Sequence, residues 1–224
     1  VCVLADATAD ATVVAADLMA QAEHDPLATC YLVTCDAAFA EKVQGRFAEL
    51  LAASPRAEIT SASLADQGVV VVAADLEAAI DAVNVIAPEH LELHCDNAMG
   101  LLGKIENAGA IFVGPWSAEP LGDYVAGPNH TLPTGGTAAF SNPLSVQDFI
   151  TRSSVICYTP EGLMNDAPAT QTMAQAEGLW AHALSAGLRR KMVEEGLEGF
   201  DGVDLGDINR IAWPVDLAVL KKAE

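Results

Sequence analysis

Basic residues are scarce in this 224-residue chain. Only 11 Lys and Arg stand against 31 Asp and Glu, which gives a formal net charge of -20 at pH 7. Such a charge repels phosphate backbones and anionic lipid surfaces, so neither nucleic acid nor a membrane is an expected partner. Apolar runs are also short, because stretches such as 69–73 and 110–113 fall far below the roughly 20 residues that cross a bilayer. We therefore expect a soluble, cytoplasmic protein.

Cysteine pairs with metal-binding or redox spacing are missing. The cysteines are odd in number and scattered: Cys2, Cys30, Cys35, Cys95 and Cys157. This pattern predicts reduced thiols in a cytosol-like compartment rather than a disulfide framework. An initiator Met and a basic leader are missing too, and the first residues already have the pattern of a strand. We expect the sequence to start inside a domain.

Apolar β-branched runs alternate with helical patterns, which is typical of an α/β layer made of βαβ units. Strands are predicted at 1–5, 28–34, 69–73, 108–113 and 154–158, and helices at 11–22, 37–53 and 76–85. Because the strand runs are continuously apolar, both faces of the sheet should be covered. The predicted fold class is α/β, a partial Rossmann-like parallel sheet layered with helices and followed by a small helical C-terminal appendage.

The domain boundaries follow changes in composition. Residues 1–150 form the predicted α/β domain, and within it a long loop rich in Gly, Pro, Asn, Ser and Thr covers 115–143. Long ordered loops are disproportionately functional. Residues 151–196 form the helical appendage, with a helix that starts after Pro160 and is broken near Pro168. The tail at 197–224 has weak patterning and is left unassigned.

Gln21 and His24 lie in the segment Gln-Ala-Glu-His-Asp at the end of the first predicted helix. Residues three apart share a helix face, so the two side chains can point at a common atom. An imidazole nitrogen and an amide oxygen are both acceptable zinc ligands, although Gln is an uncommon one. On its own, a His at a helix end is more often a cap or a surface residue.

Glu89 and His90 place a carboxylate beside an imidazole where Pro88 disturbs a helical run. Acid and base groups at the end of an element suit proton transfer, since His titrates near neutral pH. Consecutive residues on a regular helix diverge by about 100°, so both can serve one site only if the backbone is irregular. A solvated helix terminus is the equally weighted alternative.

The long loop supplies Asp123 and His130, with glycines that permit tight turns. A carboxylate and an imidazole form a plausible zinc set, while an Asx-type turn is the structural alternative. A Thr-Gly-Gly-Thr segment at 134–137 is a weak anion-binding signal. Glu177 and His182 lie in the appendage five residues apart, and by themselves they indicate only a surface helix.

Together these segments resemble the histidinol dehydrogenase family. The resemblance covers about 1–186 and is carried by QAEHD at Gln21, NVIAPEHLEL at Asn84, NAGAIFVGP at Asn107, GDYVAGPNHTLPTGGTA at Gly122 and AEGLWAHA at Ala176. Of the five histidines, only His94 falls outside the motif positions. The family sequence is roughly twice as long, so the resemblance implies that this chain is its C-terminal half.

The resemblance implies roles for individual residues. Gln21, His24 and Asp123 match the family's zinc ligands, one zinc ion per site, and His182 matches a ligand supplied by the partner subunit of a homodimer. Glu89 and His90 match the catalytic acid/base pair. The positions that contact substrate are Gln21, His24, Glu89, His90, Asp123, His130, Glu177 and His182.

The activity implied by the resemblance is the NAD-linked four-electron oxidation of L-histidinol, through L-histidinaldehyde, to L-histidine in histidine biosynthesis. The NAD site is expected in the N-terminal half. Two alternatives remain open at this point. The first alternative is a truncated, non-catalytic zinc-binding fragment. The second is a related zinc and NAD dehydrogenase that acts on another small alcohol.

Overall fold

A computed structural model describes residues 1–196 and 206–214 of the chain. Its backbone contacts divide the chain into two units, of which the first ends at Ile150 and the second begins at Thr151. Among the described residues, no helix is both long and apolar enough to span a membrane.

The first unit is built around a five-stranded parallel sheet. Its strands are β1 Cys2–Ala5, β2 Cys30–Thr34, β3 Gly68–Val72, β4 His90–His94 and β5 Ala110–Val113. They lie in the order β3-β2-β1-β4-β5, and every neighbouring pair is parallel. This is the order of a Rossmann sheet without its sixth strand. The predicted α/β, partial Rossmann-like fold is confirmed.

Helices cover both faces of the central strands. They are α1 Ala11–Ala22, α2 Ala37–Leu51, α3 Ala57–Gln67, α4 Leu76–Ile86, α5 Ala98–Leu101 and α6 Glu119–Tyr124. Val3 of β1 packs with α1 and α2 on one face, whereas Leu4 packs with α4 and α5 on the other. Two apolar clusters therefore sandwich the sheet, as continuous apolar strands require.

Four elements of the first unit were not predicted from the sequence: α3, β4, α5 and α6. Helix α3 fills the interval before β3. Strand β4 has all five residues buried and alternates polar with apolar side chains, which is the two-residue period of a strand. The prediction assigned this segment to the end of a helical run because of Pro88. Part of the predicted long loop is also helical, since it contains α6.

In the second unit, the predicted strand at 154–158 is wrong. Val155 and Ile156 are β-branched but are 90% and 79% exposed, and the segment pairs with no strand in the part of the chain that the structure describes. A β-branched sequence forms a strand only where it finds a pleated surface to pack on.

The helices of the second unit are α7 Pro160–Ala176, α8 Trp180–Glu194 and α9 Ile208–Ala212. The predicted break near Pro168 is also wrong, because α7 continues through this proline. The chain turns instead at Gly178, whose φ of +74° favours glycine. Of the predicted unassigned tail, residues 197–205 and 215–224 lie outside the described residues.

Candidate functional site

The parallel topology brings the first group of candidate residues to one edge of the sheet. Strand β1 runs to the carboxyl edge and α1 returns, so the C-terminal end of α1 lies where β2 and β4 begin. Gln21 is on the last turn of α1, Thr29 directly precedes β2, and His90 is the first residue of β4. The candidate site therefore lies at the amino edge of the sheet.

A cavity of about 590 Å³ opens at this edge. Its lining includes Gln21, Thr29, Glu89 and the paired glycines Gly135 and Gly136. The amide Oε1 of Gln21 accepts a hydrogen bond of 3.1 Å from the amino group of Val1. Two residues predicted from separate motifs, Gln21 and Glu89, thus line one cavity.

The backbone before β4 is irregular, as the pairing of Glu89 with His90 requires. Ala87 is left-handed, with φ of +46°, and Pro88 follows it. Ala87 ends α4 and turns the chain into β4 within four residues. Gly109 packs directly on this corner, since its N–H donates to the Pro88 carbonyl at 2.9 Å.

His90 is buried between two carboxylates. Its Nε2 lies 3.6 Å from Oε1 of Glu119 and 3.6 Å from Oδ1 of Asp123, both of which are on α6. Glu119 and Asp123 are four residues apart and so share one face of that helix. Neither ring nitrogen of His90 has a hydrogen-bond partner among the described residues. The three groups form a compact cluster of donors that a cation could occupy.

Burial controls the protonation of this cluster. It lowers the pKa of His90, an effect that the carboxylates of Glu89 and Asp123 oppose. The pKa of Glu119 rises to about 7, first because of burial and then because of the nearby Asp123 carboxylate. A neutral imidazole beside carboxylates is suited to accept a proton, since the imidazolium would be stabilised by its neighbours.

A second cavity, of about 560 Å³, lies between β5, α6 and the loop that follows. Asp123 and His130 both line it, together with Phe112, whose ring centroid is 5.9 Å from that of His90. The structure thus places the two loop residues predicted from the sequence on one cavity, adjacent to His90.

Comparison with known proteins identifies the family. The sequence model of the histidinol dehydrogenase family matches residues 1–190. Histidinol dehydrogenase from Moorella thermoacetica is 52% identical over 189 residues, and that from Halalkalibacterium halodurans is 49% identical over 187 residues. The chain belongs to the histidinol dehydrogenase family.

The histidinol dehydrogenase fold is matched as well, over the same share of the chain. A crystal structure of the histidinol dehydrogenase from Elizabethkingia anophelis superposes with a TM-score of 0.76 at 37% identity. The match covers 86% of this chain but 44% of that one. The Moorella and Halalkalibacterium matches cover 84% of this chain and 45% and 44% of those proteins. The chain therefore spans about half the length of these relatives.

Three residues that the family resemblance singled out are exposed. His24 is exposed in the turn just after α1 and lines neither cavity. Glu177 ends α7 and His182 lies on the first turns of α8, and both are exposed in the second unit. Their roles as zinc or substrate ligands remain predictions.

Sequence reasoning missed a buried polar row on β4 in this member of the histidinol dehydrogenase family. His90, Glu92 and His94 point to one face of the strand, and Glu92 is fully buried. The Nε2 of His94 lies 3.4 Å from Oε2 of Glu92 and 3.5 Å from Oδ2 of Asp17 on α1. The alternation His-Leu-Glu-Leu-His could have revealed this row. The four-residue spacing of Glu119 and Asp123 could have revealed the carboxylate pair.

The carboxyl edge of the sheet has a different chemistry. There α1, α2 and α4 begin at Asp10, Asp36 and Asp75, whose side chains accept hydrogen bonds from the first backbone N–H groups. Complete Rossmann folds bind the dinucleotide pyrophosphate at this edge, on free N–H groups at a helix start. Here carboxylates hold those groups and would repel phosphate.

Proposed function

We propose that this chain supplies the zinc-binding and acid/base half of a histidinol dehydrogenase. The reaction is the NAD-linked oxidation of L-histidinol, through L-histidinaldehyde, to L-histidine in histidine biosynthesis. The observation that carries the proposal is the burial of His90 between Glu119 and Asp123, with Glu89 on the cavity that Gln21 also lines. Family membership agrees with this site.

The donor atoms available here suit zinc. Asp123 and Gln21 offer oxygen and His24 offers nitrogen, all of which zinc accepts. Glu119 and Asp123 place two carboxylates 3.6 Å from Nε2 of His90, and a cation held by Asp123 would offset this local negative charge. In the proposed site Gln21, His24 and Asp123 hold the ion, which would orient the imidazole and amine of the substrate.

His90 and Glu89 carry the proton transfers in this proposal. His90 takes the proton of the substrate hydroxyl, because its burial keeps the imidazole neutral. The carboxylate of Asp123, 3.6 Å from Nε2, would then stabilise the charged ring. Glu89, one residue earlier, deprotonates the water that adds to the aldehyde. NAD, when bound, would supply the hydride acceptor for each oxidation.

The carboxylate-capped helix starts support a placement of NAD outside the carboxyl edge of this unit. We propose that NAD binds to the part of the protein that relatives have and this chain does not. Glu177 and His182, both exposed on the second unit, are proposed to complete the site of the partner subunit in a homodimer.

The second candidate function is zinc binding without catalysis, and the support for it is the share of its relatives' length that the chain spans. Because the chain spans only 44–45% of its relatives, it would act as a zinc-binding fragment without activity if no other chain supplied the rest. A related dehydrogenase acting on another small alcohol would use the same acid/base pair. These candidates differ in which substrates they turn over and in whether any turnover occurs.

The experiment measures NADH formation from L-histidinol, NAD and zinc. The purified chain is assayed alone and with the separately expressed part of the Moorella relative that it does not match. Activity only in the mixture supports the proposed function, whereas zinc binding without activity supports the non-catalytic fragment. Faster turnover of another small alcohol than of L-histidinol would support the third candidate.

A further inference from the structure

Helix α6 lacks a cap from its own N-terminal residue. The residue before it is Ala118, which has no side-chain acceptor, and the second helical residue is Pro120. The first N–H of the helix, that of Glu119, donates instead to the carboxylate Oε1 of Glu92 at 2.9 Å. The acceptor thus comes from β4, 27 residues earlier in the chain.

Glu92 is well placed to act as a fixed anchor. Its side chain is fully buried in a strand that is paired on both sides, with β1 and with β5. Its other oxygen, Oε2, faces His94 Nε2 at 3.4 Å. Only Oε1 accepts a hydrogen bond, while Oε2 lies at ion-pair distance from the His94 ring without a hydrogen bond. Close packing around a fully buried side chain leaves it few alternative positions.

The helix anchored in this way carries the carboxylates of the candidate site. Glu119 and Asp123 both approach His90 Nε2 at 3.6 Å. His90 and Glu92 are two residues apart on the same face of β4, so a single strand holds the imidazole and the anchor of the opposing helix. A six-residue helix gains little stability from its own hydrogen bonds, so external contacts decide its position.

We propose that Glu92 is a positioning residue: its carboxylate caps α6 from β4 and thereby fixes Asp123 and Glu119 against His90. No contact of Glu92 with substrate or zinc is involved. The inference deepens the proposed function and rests on it for the zinc measurement below. Its structural part, the capping of α6, is tested separately.

The structural test is amide hydrogen exchange across 117–126 in the full chain. Glu92→Met removes the acceptor at similar length, Glu92→Gln keeps an acceptor oxygen, and Asp36→Ala removes a carboxylate cap from α2 as a matched control. We expect exchange in α6 to accelerate at least about tenfold in Glu92→Met and to stay within about threefold in the other two. Unchanged exchange in Glu92→Met would overturn the proposal, as would equal acceleration in Glu92→Gln.

The functional test is zinc affinity, measured by competition with a chromophoric chelator on the same variants. Glu92→Met should weaken zinc binding about tenfold or more, while Glu92→Gln and Asp36→Ala stay within about threefold. A general loss of stability would affect Asp36→Ala equally, and that result also overturns the positioning role. If the unmodified chain binds no zinc, the proposed function fails while the exchange result still decides the role of Glu92.

If Glu92→Met does not fold, the capping of α6 by Glu92 is tested on the unmodified chain by NMR. The Glu119 amide should exchange slowly and show a scalar coupling to the Glu92 carboxyl carbon across the hydrogen bond. A rapidly exchanging Glu119 amide without this coupling would overturn the proposal.

Discussion

The Nε2 atom of His90 lies 3.6 Å from the Oδ1 atom of Asp123, although the two residues are 33 positions apart in the sequence. One residue begins β4 and the other is on α6. The proposed function assigns them different tasks, proton transfer to His90 and zinc binding to Asp123. Their proximity also allows a different reading, in which both are metal ligands together with Glu119. Zinc binding and turnover by variants of His24 and His90 distinguish these two assignments.

Replacing His24 tests the ligand set implied by the family resemblance. His24→Ala should abolish tight zinc binding, because it removes the imidazole donor from a set of three in this chain. Zinc content after dialysis is measured by atomic absorption. The neighbouring exposed carboxylate variant Glu23→Gln is the control and should keep its zinc. Unchanged zinc content in His24→Ala would rule out the assigned set.

The substitution Gly109→Ala tests the close packing of Gly109 against the backbone of Glu89. A methyl group at this position would come within 2.5 Å of the Glu89 carbonyl oxygen, so the backbone beside the acid/base pair must move. We expect Gly109→Ala to cost about 1–3 kcal/mol in free energy of unfolding. We call the chain mixed with the unmatched part of the Moorella relative the supplemented enzyme. In this mixture Gly109→Ala should also lower kcat/KM by about tenfold or more, because the reacting groups shift.

Gly45 provides the control for this substitution. It lies within α2 and an added methyl group meets nothing within 4 Å. Gly45→Ala should therefore stabilise the chain by about 0.5–1 kcal/mol. Urea unfolding measures both variants. A Gly109→Ala protein as stable and active as the unmodified one would contradict the packing at this corner.

Asp17 makes the stability of the metal-free chain depend on pH. Burial, followed by the Glu92 carboxylate, raises the pKa of Asp17 from 3.8 to about 7, so the folded chain holds a proton that the unfolded chain releases. This contribution is complete below about pH 4 and is lost as the pH rises through about 7. The loss is at most about 4 kcal/mol, given 1.36 kcal/mol per pKa unit.

Asp17→Asn should remove this dependence, since the amide cannot ionise. The difference in free energy of unfolding between Asp17→Asn and the unmodified chain should grow in favour of the variant from pH 4 to pH 8. The exposed carboxylate variant Asp81→Asn serves as control and should follow the unmodified chain. Parallel pH profiles of Asp17→Asn and the unmodified chain would contradict the assignment.

Local pattern was sufficient for most of the first unit. The βαβ alternation predicted β1, α1, β2 and α2 and the two-sided sheet, because continuous apolar strands and helical spacing are local signals. Strand β4 was missed because three of its five buried positions are His and Glu, whose burial depends on partners far away in the sequence. At 154–158 a strand was predicted that the structure does not form. The β-branched residues there favour a strand, but the segment does not pack against a sheet.

The sequence likewise identified some residues of the candidate site and missed others. Motifs identified Glu89, His90 and Asp123, and the structure brings the last two together. Glu119 and Glu92 were not identified, because their importance arises from tertiary contacts: one approaches His90 and the other caps α6. The local signals, the two-residue alternation around Glu92 and the four-residue spacing of Glu119 and Asp123, do not by themselves show which distant groups these carboxylates meet.

The most direct test of the proposed function is His90→Asn in the supplemented enzyme, with NADH formation from L-histidinol and zinc affinity measured on the same sample. The proposed function predicts a fall in kcat of about 10²–10⁴-fold, as expected for loss of a general base, with zinc affinity within about threefold of the unmodified chain. Activity close to that of the unmodified chain would contradict the base role. Loss of zinc together with activity would make His90 a metal ligand and contradict the assigned site.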